Sequence, residues 1–204
     1  ARRYFINIVG KYGMQVQNLL KKAAALEIAV ICPLHGPVLR ENLGFYLEKY
    51  QTWSSYTPEE TGVLVAYASI HGNTAQAAAQ LAEELSALGE SVVLLDLARC
   101  DMAEAVSQAF RFDRMVLAAA SYDGGVFLPM EKFLIHLQAK SFQNRQVALV
   151  ENGSWAPCAG KKMLSYLENM KNITVLEQSV SIRSAVKAED EAQLRLLAQA
   201  IHEA

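Results

Sequence analysis

Cysteine and histidine are scarce in this chain, with three and four among 204 residues. Cys32, Cys100 and Cys158 are odd in number, far apart and form no C-x-x-C pair. No disulfide framework is therefore expected, and reduced thiols in a cytoplasm suit the pattern. An excess of either charge is missing too. The 19 Lys and Arg stand against 21 Asp and Glu, which gives no electrostatic reason for a nucleic acid or an anionic membrane as partner. No apolar run approaches the ~20 residues that span a bilayer. The start, Ala1-Arg2-Arg3-Tyr4-Phe5-Ile6-Asn7, lacks the long apolar centre of a signal peptide. G-x-G occurs nowhere, nor does a Gly-Lys-Ser/Thr ending, so neither the dinucleotide fingerprint nor the triphosphate loop is present. What remains is 52% hydrophobic and 20% charged. That excludes disorder and allows one medium domain, or one domain and a piece of another.

From Thr61 onward apolar strands alternate with helical stripes. Strands are predicted at Val63–Ala68, Val92–Leu97, Met115–Ala120, Val147–Val150 and Ile173–Leu176. Helical stripes fall at Ala78/Leu81/Ala82/Leu85, Met130/Phe133/Leu134/Leu137 and Met163/Tyr166/Leu167/Met170, with a closing helix at Leu194/Leu197/Ala198/Ile201. Gly89 reads as a helix stop and Pro129 as a first-turn residue. The pattern predicts an α/β fold, a doubly wound five-stranded parallel sheet in the order 2-1-3-4-5, whose ligand crevice opens where strands 1 and 3 diverge. The first ~60 residues look unlike a whole domain. A stripe at Val16/Leu19/Leu20/Ala23 precedes a strand at Ile28–Cys32, the turn Pro33-Leu34-His35-Gly36-Pro37 and a stripe at Leu43/Tyr46/Leu47/Tyr50. Ser54–Glu60 reads as a linker.

The stretch Ser69-Ile70-His71-Gly72-Asn73-Thr74 joins the first strand to its helix. Such a turn gathers free backbone N–H groups at the positive end of the helix dipole, which suits a phosphate. The hydroxyls of Ser69 and Thr74 can donate to it and Gly72 admits close backbone approach, while His71 is either a solvent-facing turn residue or, when charged, a partner for a dianion. With no lysine in the loop, a phosphate monoester without a metal is the expected ligand. Two further loops follow strands 3 and 4: Ser121-Tyr122-Asp123-Gly124-Gly125-Val126-Phe127 and Glu151-Asn152-Gly153-Ser154-Trp155-Ala156-Pro157. Two readings stand for these loops: Tyr122 and Trp155 flank a planar isoalloxazine ring, with Asn152 and backbone N–H groups at its polar edge, or the turn and the tryptophan merely cover the sheet end. His35, on a proline-bounded turn, has the form of a metal ligand, yet zinc and iron sites need three or more protein ligands. His136, His202, Glu83/Glu84 and Glu189/Asp190/Glu191 read as solvated helix positions. Cys158, beside the ring loops, reads as packing rather than nucleophile.

With these residues in place, the whole chain resembles the flavodiiron proteins, or A-type flavoproteins. In that family a metallo-β-lactamase-like diiron domain of αβ/βα type precedes a flavodoxin-like domain that binds FMN. Ile31-Cys32-Pro33-Leu34-His35-Gly36-Pro37 is similar to the stretch that ends the diiron domain, with His35 at the place of its last iron-ligating histidine. Ser69–Thr74 resembles the FMN phosphate loop, and Ser121–Phe127 and Asn152–Trp155 the two ring loops. The resemblance implies residues 1–56 as the end of the diiron domain and 57–204 as the flavodoxin-like domain. Two departures stand out. The His-x-Glu-x-Asp-His group of iron ligands is absent, so the chain is expected to be a piece of a polypeptide about twice as long. Tyr122-Asp123-Gly124-Gly125 also replaces a Pro-Thr-type loop, and His71 stands where flavodoxins usually carry threonine.

The resemblance implies electron flow from a rubredoxin or similar donor through FMN to a diiron site that reduces dioxygen or nitric oxide, in a head-to-tail homodimer. Two alternatives compete with it. A free-standing flavodoxin-like carrier or quinone reductase would want a nicotinamide site, and no basic loop nominates one. A phospho-acceptor module would want a carboxylate cluster after strand 1, where Ser69 and Thr74 stand instead.

Overall fold

Strand and helix alternate from Glu60 to the C-terminus in the computed structural model, which describes residues 1–204. A helical N-terminal region comes first: α1 (Arg2–Tyr4), a π-helical stretch at Phe5–Val9, a 3-10 turn at Gly10–Tyr12, α2 (Gly13–Ala23) and α3 (Leu43–Ser54). Then follow β1 (Glu60–Ala68), α4 (Asn73–Ala87), β2 (Val92–Asp96), α5 (Met102–Arg111) and β3 (Phe112–Tyr122). After these come β4 (Gly125–Val126), α6 (Leu128–Ala139), β5 (Arg145–Asn152), α7 (Ala159–Leu167), β6 (Ile173–Ile182) and α8 (Ala188–His202). The sheet order is β2-β1-β3-β5-β6, with β4 paired antiparallel to the end of β3. The five parallel strands thus take the expected 2-1-3-4-5 order, and β4 makes a sixth.

Alternation along the strands decides the two layers. Val63 and Val65 of β1 join a core with Leu81 and Leu85 of α4 and with Leu194, Leu197 and Ile201 of α8. Leu64 and Ala66 join the opposite core, with Phe110 of α5, Phe133 and Leu134 of α6 and Met163 of α7. Phe5, Ile6, Val16 and Trp53 belong to that second core. The N-terminal region is therefore packed onto the sheet's α5–α7 layer and not suspended beside it.

Four expectations change. Ile28–Cys32 is not a strand. Only the bridge Ile31–Leu39 forms there, because no neighbouring strand is at hand to continue the ladder. Ser54–Glu60 is no free linker. The Tyr56 hydroxyl donates to Gly10 O (2.8 Å), and Arg145 donates to Tyr56 O (2.8 Å), Phe110 O (2.7 Å) and Phe112 O (2.6 Å). Burial of this guanidinium brings its pKa down to about 10, still charged at neutral pH. Helix α5 was not predicted, although Asp101 caps it by accepting from Ala103 N (2.7 Å) and Glu104 N (3.3 Å). His202 is exposed on α8 as expected, and its ring also pairs with Glu90 (2.7 Å), itself held by both terminal nitrogens of Arg114. Asp190 is buried rather than solvated, and accepts from Lys187 N (2.9 Å) at the start of α8.

Candidate functional site

The chain leaves β1 at Ala68 and enters α4 at Asn73 through four residues that hold a tight turn. Gly72 takes φ +93°, a conformation glycine adopts without penalty. Its N–H donates to Ser69 Oγ (3.0 Å), which leaves the serine hydrogen free to point outward. The first intrahelical bond runs from Gln76 N to Gly72 O (2.9 Å). The amides of Asn73, Thr74 and Ala75 precede it and meet no protein acceptor, as the first turn of a helix requires. Thr74 is buried to 2% exposure beneath them.

The second loop is a hairpin. Asp123 (φ +49°) and Gly124 (φ +70°) occupy its two central positions, with Tyr122 paired to Gly125 and Ser121 to Val126. Asp-Gly with positive φ at both centres is the type I′ turn that fits strand twist. The Asp123-Gly124 pair is its mark in the sequence. Tyr122 stacks edge-on to Phe127, with ring centres 5.8 Å apart.

The third loop is bound to the second from below. Ser121 Oγ accepts from Cys158 N (2.8 Å) and Ala159 N (3.1 Å), and Glu151 accepts from Gly160 N (2.8 Å). Together they cap the N-terminus of α7. The Cys158 thiol donates to Gly125 O (3.4 Å), a packing contact. Asn152 lies at the end of β5, 5% exposed. Its amide nitrogen donates to Ser184 O (2.9 Å) and its amide oxygen accepts from Ser184 N (3.1 Å). The side chains of Ser121 and Asn152 therefore hold loops together, and Asn152 is not free to edge a ring.

These segments enclose a cavity of about 190 Å³. Ser69, Ile70, His71, Asn73 and Thr74 line one side, and Ser121, Asn152, Gly153 and Ser154 another, with Ser184 from the loop after β6. His71 is its only titratable side chain, and no carboxylate lines it. Tyr122 and Trp155 lie outside the cavity and are uncovered, Trp155 to 87%. Asp123, Gly124 and Gly125 are in the hairpin and not in its wall. His35 is exposed on the N-terminal region, its ring 5.7 Å from that of Tyr4. No group of three His, Cys, Asp or Glu is arranged to hold a metal ion. A larger groove of about 610 Å³ between the β2–α5 loop and α6 contains none of the predicted site residues.

A parallel sheet in this order, with an anion-sized cavity of amides and hydroxyls at its carboxyl edge, defines a flavodoxin-type α/β protein. The chain belongs to the flavodoxin family, whose profile matches residues 65–201. Over 204 residues it is 23% identical to the rubredoxin-oxygen oxidoreductase of Megalodesulfovibrio gigas, covering 98% of this chain and 50% of that protein. It is 24% identical over 160 residues to an anaerobic nitric oxide reductase flavorubredoxin of Aeromonas hydrophila, covering 76% and 32% of the two chains. The flavodiiron protein from Giardia intestinalis has the same fold, with a TM-score of 0.90 at 18% identity over 99% of this chain and 51% of that one. The shared fold thus includes the N-terminal region as well as the sheet. The chain spans about half the length of the curated relatives it matches. None of its helices is long and apolar enough to cross a membrane.

Proposed function

We propose that this chain is the FMN-binding, electron-transferring part of a flavodiiron oxidoreductase. The observation that carries the reading is the cavity at the head of α4. The unpaired helix amides of Asn73 and Thr74 and a set of hydroxyls line a space that fits a phosphate, and no carboxylate opposes the charge. The uncovered Tyr122 and Trp155 supply aromatic faces for a planar ring just beyond it. Bound FMN would supply one- and two-electron redox chemistry. The protein's share is to hold the phosphate through Ser69–Thr74, orient the ring through the Tyr122–Gly125 hairpin and the Gly153–Trp155 loop, and leave one edge open to a partner.

Residues 1–56 are, in this reading, the end of a metallo-β-lactamase-like domain, and 57–204 the flavodoxin-like domain. His35 would contribute one ligand to a diiron centre, and this chain does not complete that centre by itself. The donor would be a rubredoxin or similar carrier, the acceptor dioxygen or nitric oxide, the assembly a head-to-tail homodimer in the cytoplasm.

The test is a titration of the flavin-free chain with FMN, followed by flavin fluorescence. Stoichiometric quenching is expected. Thr74→Val should weaken FMN by roughly tenfold, the worth of one bond to a charged group. A folded protein that leaves FMN fluorescence unchanged would overturn the reading.

A further inference from the structure

Ser184 was not singled out by its sequence context, yet it lines the same cavity as Ser69 and Thr74. It sits in the β6–α8 loop with φ +66°, which an L side chain adopts at a cost and only where its surroundings impose it. The constraint is visible. The buried amide of Asn152 bonds both backbone groups of Ser184 at once, as a backbone neighbour in a ladder would. Gly153 N donates to Ile182 O (3.1 Å), extending the pairing of β5 with β6 one step beyond Asn152–Ile182. With its N–H and C=O both taken, Ser184 has only its hydroxyl left to offer a ligand. The cavity contains no lysine or arginine, so beyond His71 a dianion there depends on backbone amides and hydroxyls, and each hydroxyl counts.

We infer that Asn152 is a positioning residue, which holds the β6–α8 loop as a fourth wall of the phosphate site and so brings the Ser184 hydroxyl to the phosphate of FMN. This rests on the FMN reading given above. Asparagine suits the task because it carries a donor and an acceptor in one plane. Aspartate lacks the donor and alanine lacks both.

The two flavins FMN and riboflavin, alike except for the phosphate, separate this role from general loop stability. Each is titrated against the wild type, Asn152→Ala and Ser184→Gly. Asn152→Ala should weaken FMN by roughly tenfold and riboflavin by less than about twofold. Ser184→Gly keeps the backbone bonds and relieves the positive φ, so it remains folded, and it too should lose several-fold in FMN affinity with riboflavin unchanged. Equal losses for both flavins in Asn152→Ala, or a Ser184→Gly protein that binds FMN as the wild type does, would overturn the inference. A wild type that binds riboflavin and FMN equally well would overturn it too, while leaving a ring site in place. A wild type that binds neither flavin removes the FMN reading itself.

Discussion

Gly153 has no room for a side chain. A Cβ there would lie 2.9 Å from Pro157 Cα, 3.1 Å from Pro157 N and 3.2 Å from Ser121 Oγ. Proline backbone cannot yield easily, and Ser121 is already fixed by the α7 amides. Gly153→Ala should therefore push the loop outward, cost about 1–3 kcal/mol and weaken flavin binding. Gly125 provides the control, because its φ is not positive and the nearest atom to an added Cβ is Tyr122 O at 3.6 Å. Denaturant titrations of Gly153→Ala and Gly125→Ala should differ clearly. Equal stabilities would mean that Pro157 gives way. At this scale the turn from β1 into α4 was legible because strand, short turn and helix stand next to one another in the chain. The roles of Ser121 and Asn152 were not legible, since their partners are 37 and 32 residues away. Nothing local marks a side chain as a clasp between loops rather than a ligand contact.

Among the elements, the hydrophobic period located all five parallel strands and four of the five helices that follow β1, and failed where the tertiary setting overruled it. Ile28–Cys32 has strand composition without a strand to pair with. In α5 the stripe Ala105/Val106/Ala109/Phe110 is buried, but its small alanines gave a weak signal. What fastens the N-terminal helices to β1 is electrostatic as well as apolar. Glu59 accepts from Lys49 (2.6 Å), Arg2 (2.9 Å) and Trp53 Nε1 (3.0 Å). Burial alone would raise its carboxyl, yet the hydrogen bonds from Lys49, Arg2 and Trp53 outweigh that and bring it from 4.5 down to about 2. A depressed folded-state pKa contributes stability above the unfolded value and loses it as pH falls through the folded one. The wild type should therefore lose about 2–3 kcal/mol between roughly pH 4.5 and 2 that Glu59→Gln does not lose. Glu60, Glu90 and Asp101 are lowered as well, so the difference between the two proteins is the quantity to measure. Urea midpoints that fall in parallel with pH would rule out this linkage.

For the molecule as a whole, the question is whether residues 1–56 and the sheet unfold together. Phe5 is fully buried against Tyr50 and Trp53, with ring centres 5.0 and 5.4 Å away, in the same core as Phe112 and Phe142. Arg145 ties Tyr56 to α5 and β3 from within the flavodoxin-like part. A shared core and a shared buried cation couple the two regions, so a single cooperative transition follows. The two tryptophans allow a direct reading. Trp53 is buried at 6% exposure in this junction, whereas Trp155 stands in solvent in the loop after β5. In a Trp155→Phe protein the fluorescence reports the junction alone, and far-ultraviolet circular dichroism reports the secondary structure of the whole chain, most of it after Glu60. The two signals should melt together. Phe5→Ala, which empties a fully buried aromatic site, should lower that common transition by about 3–5 kcal/mol without splitting it. Should Trp53 fluorescence change well before the circular dichroism, the N-terminal region is a separate cooperative unit resting on the sheet, and the shared core contributes little to the stability of the other half.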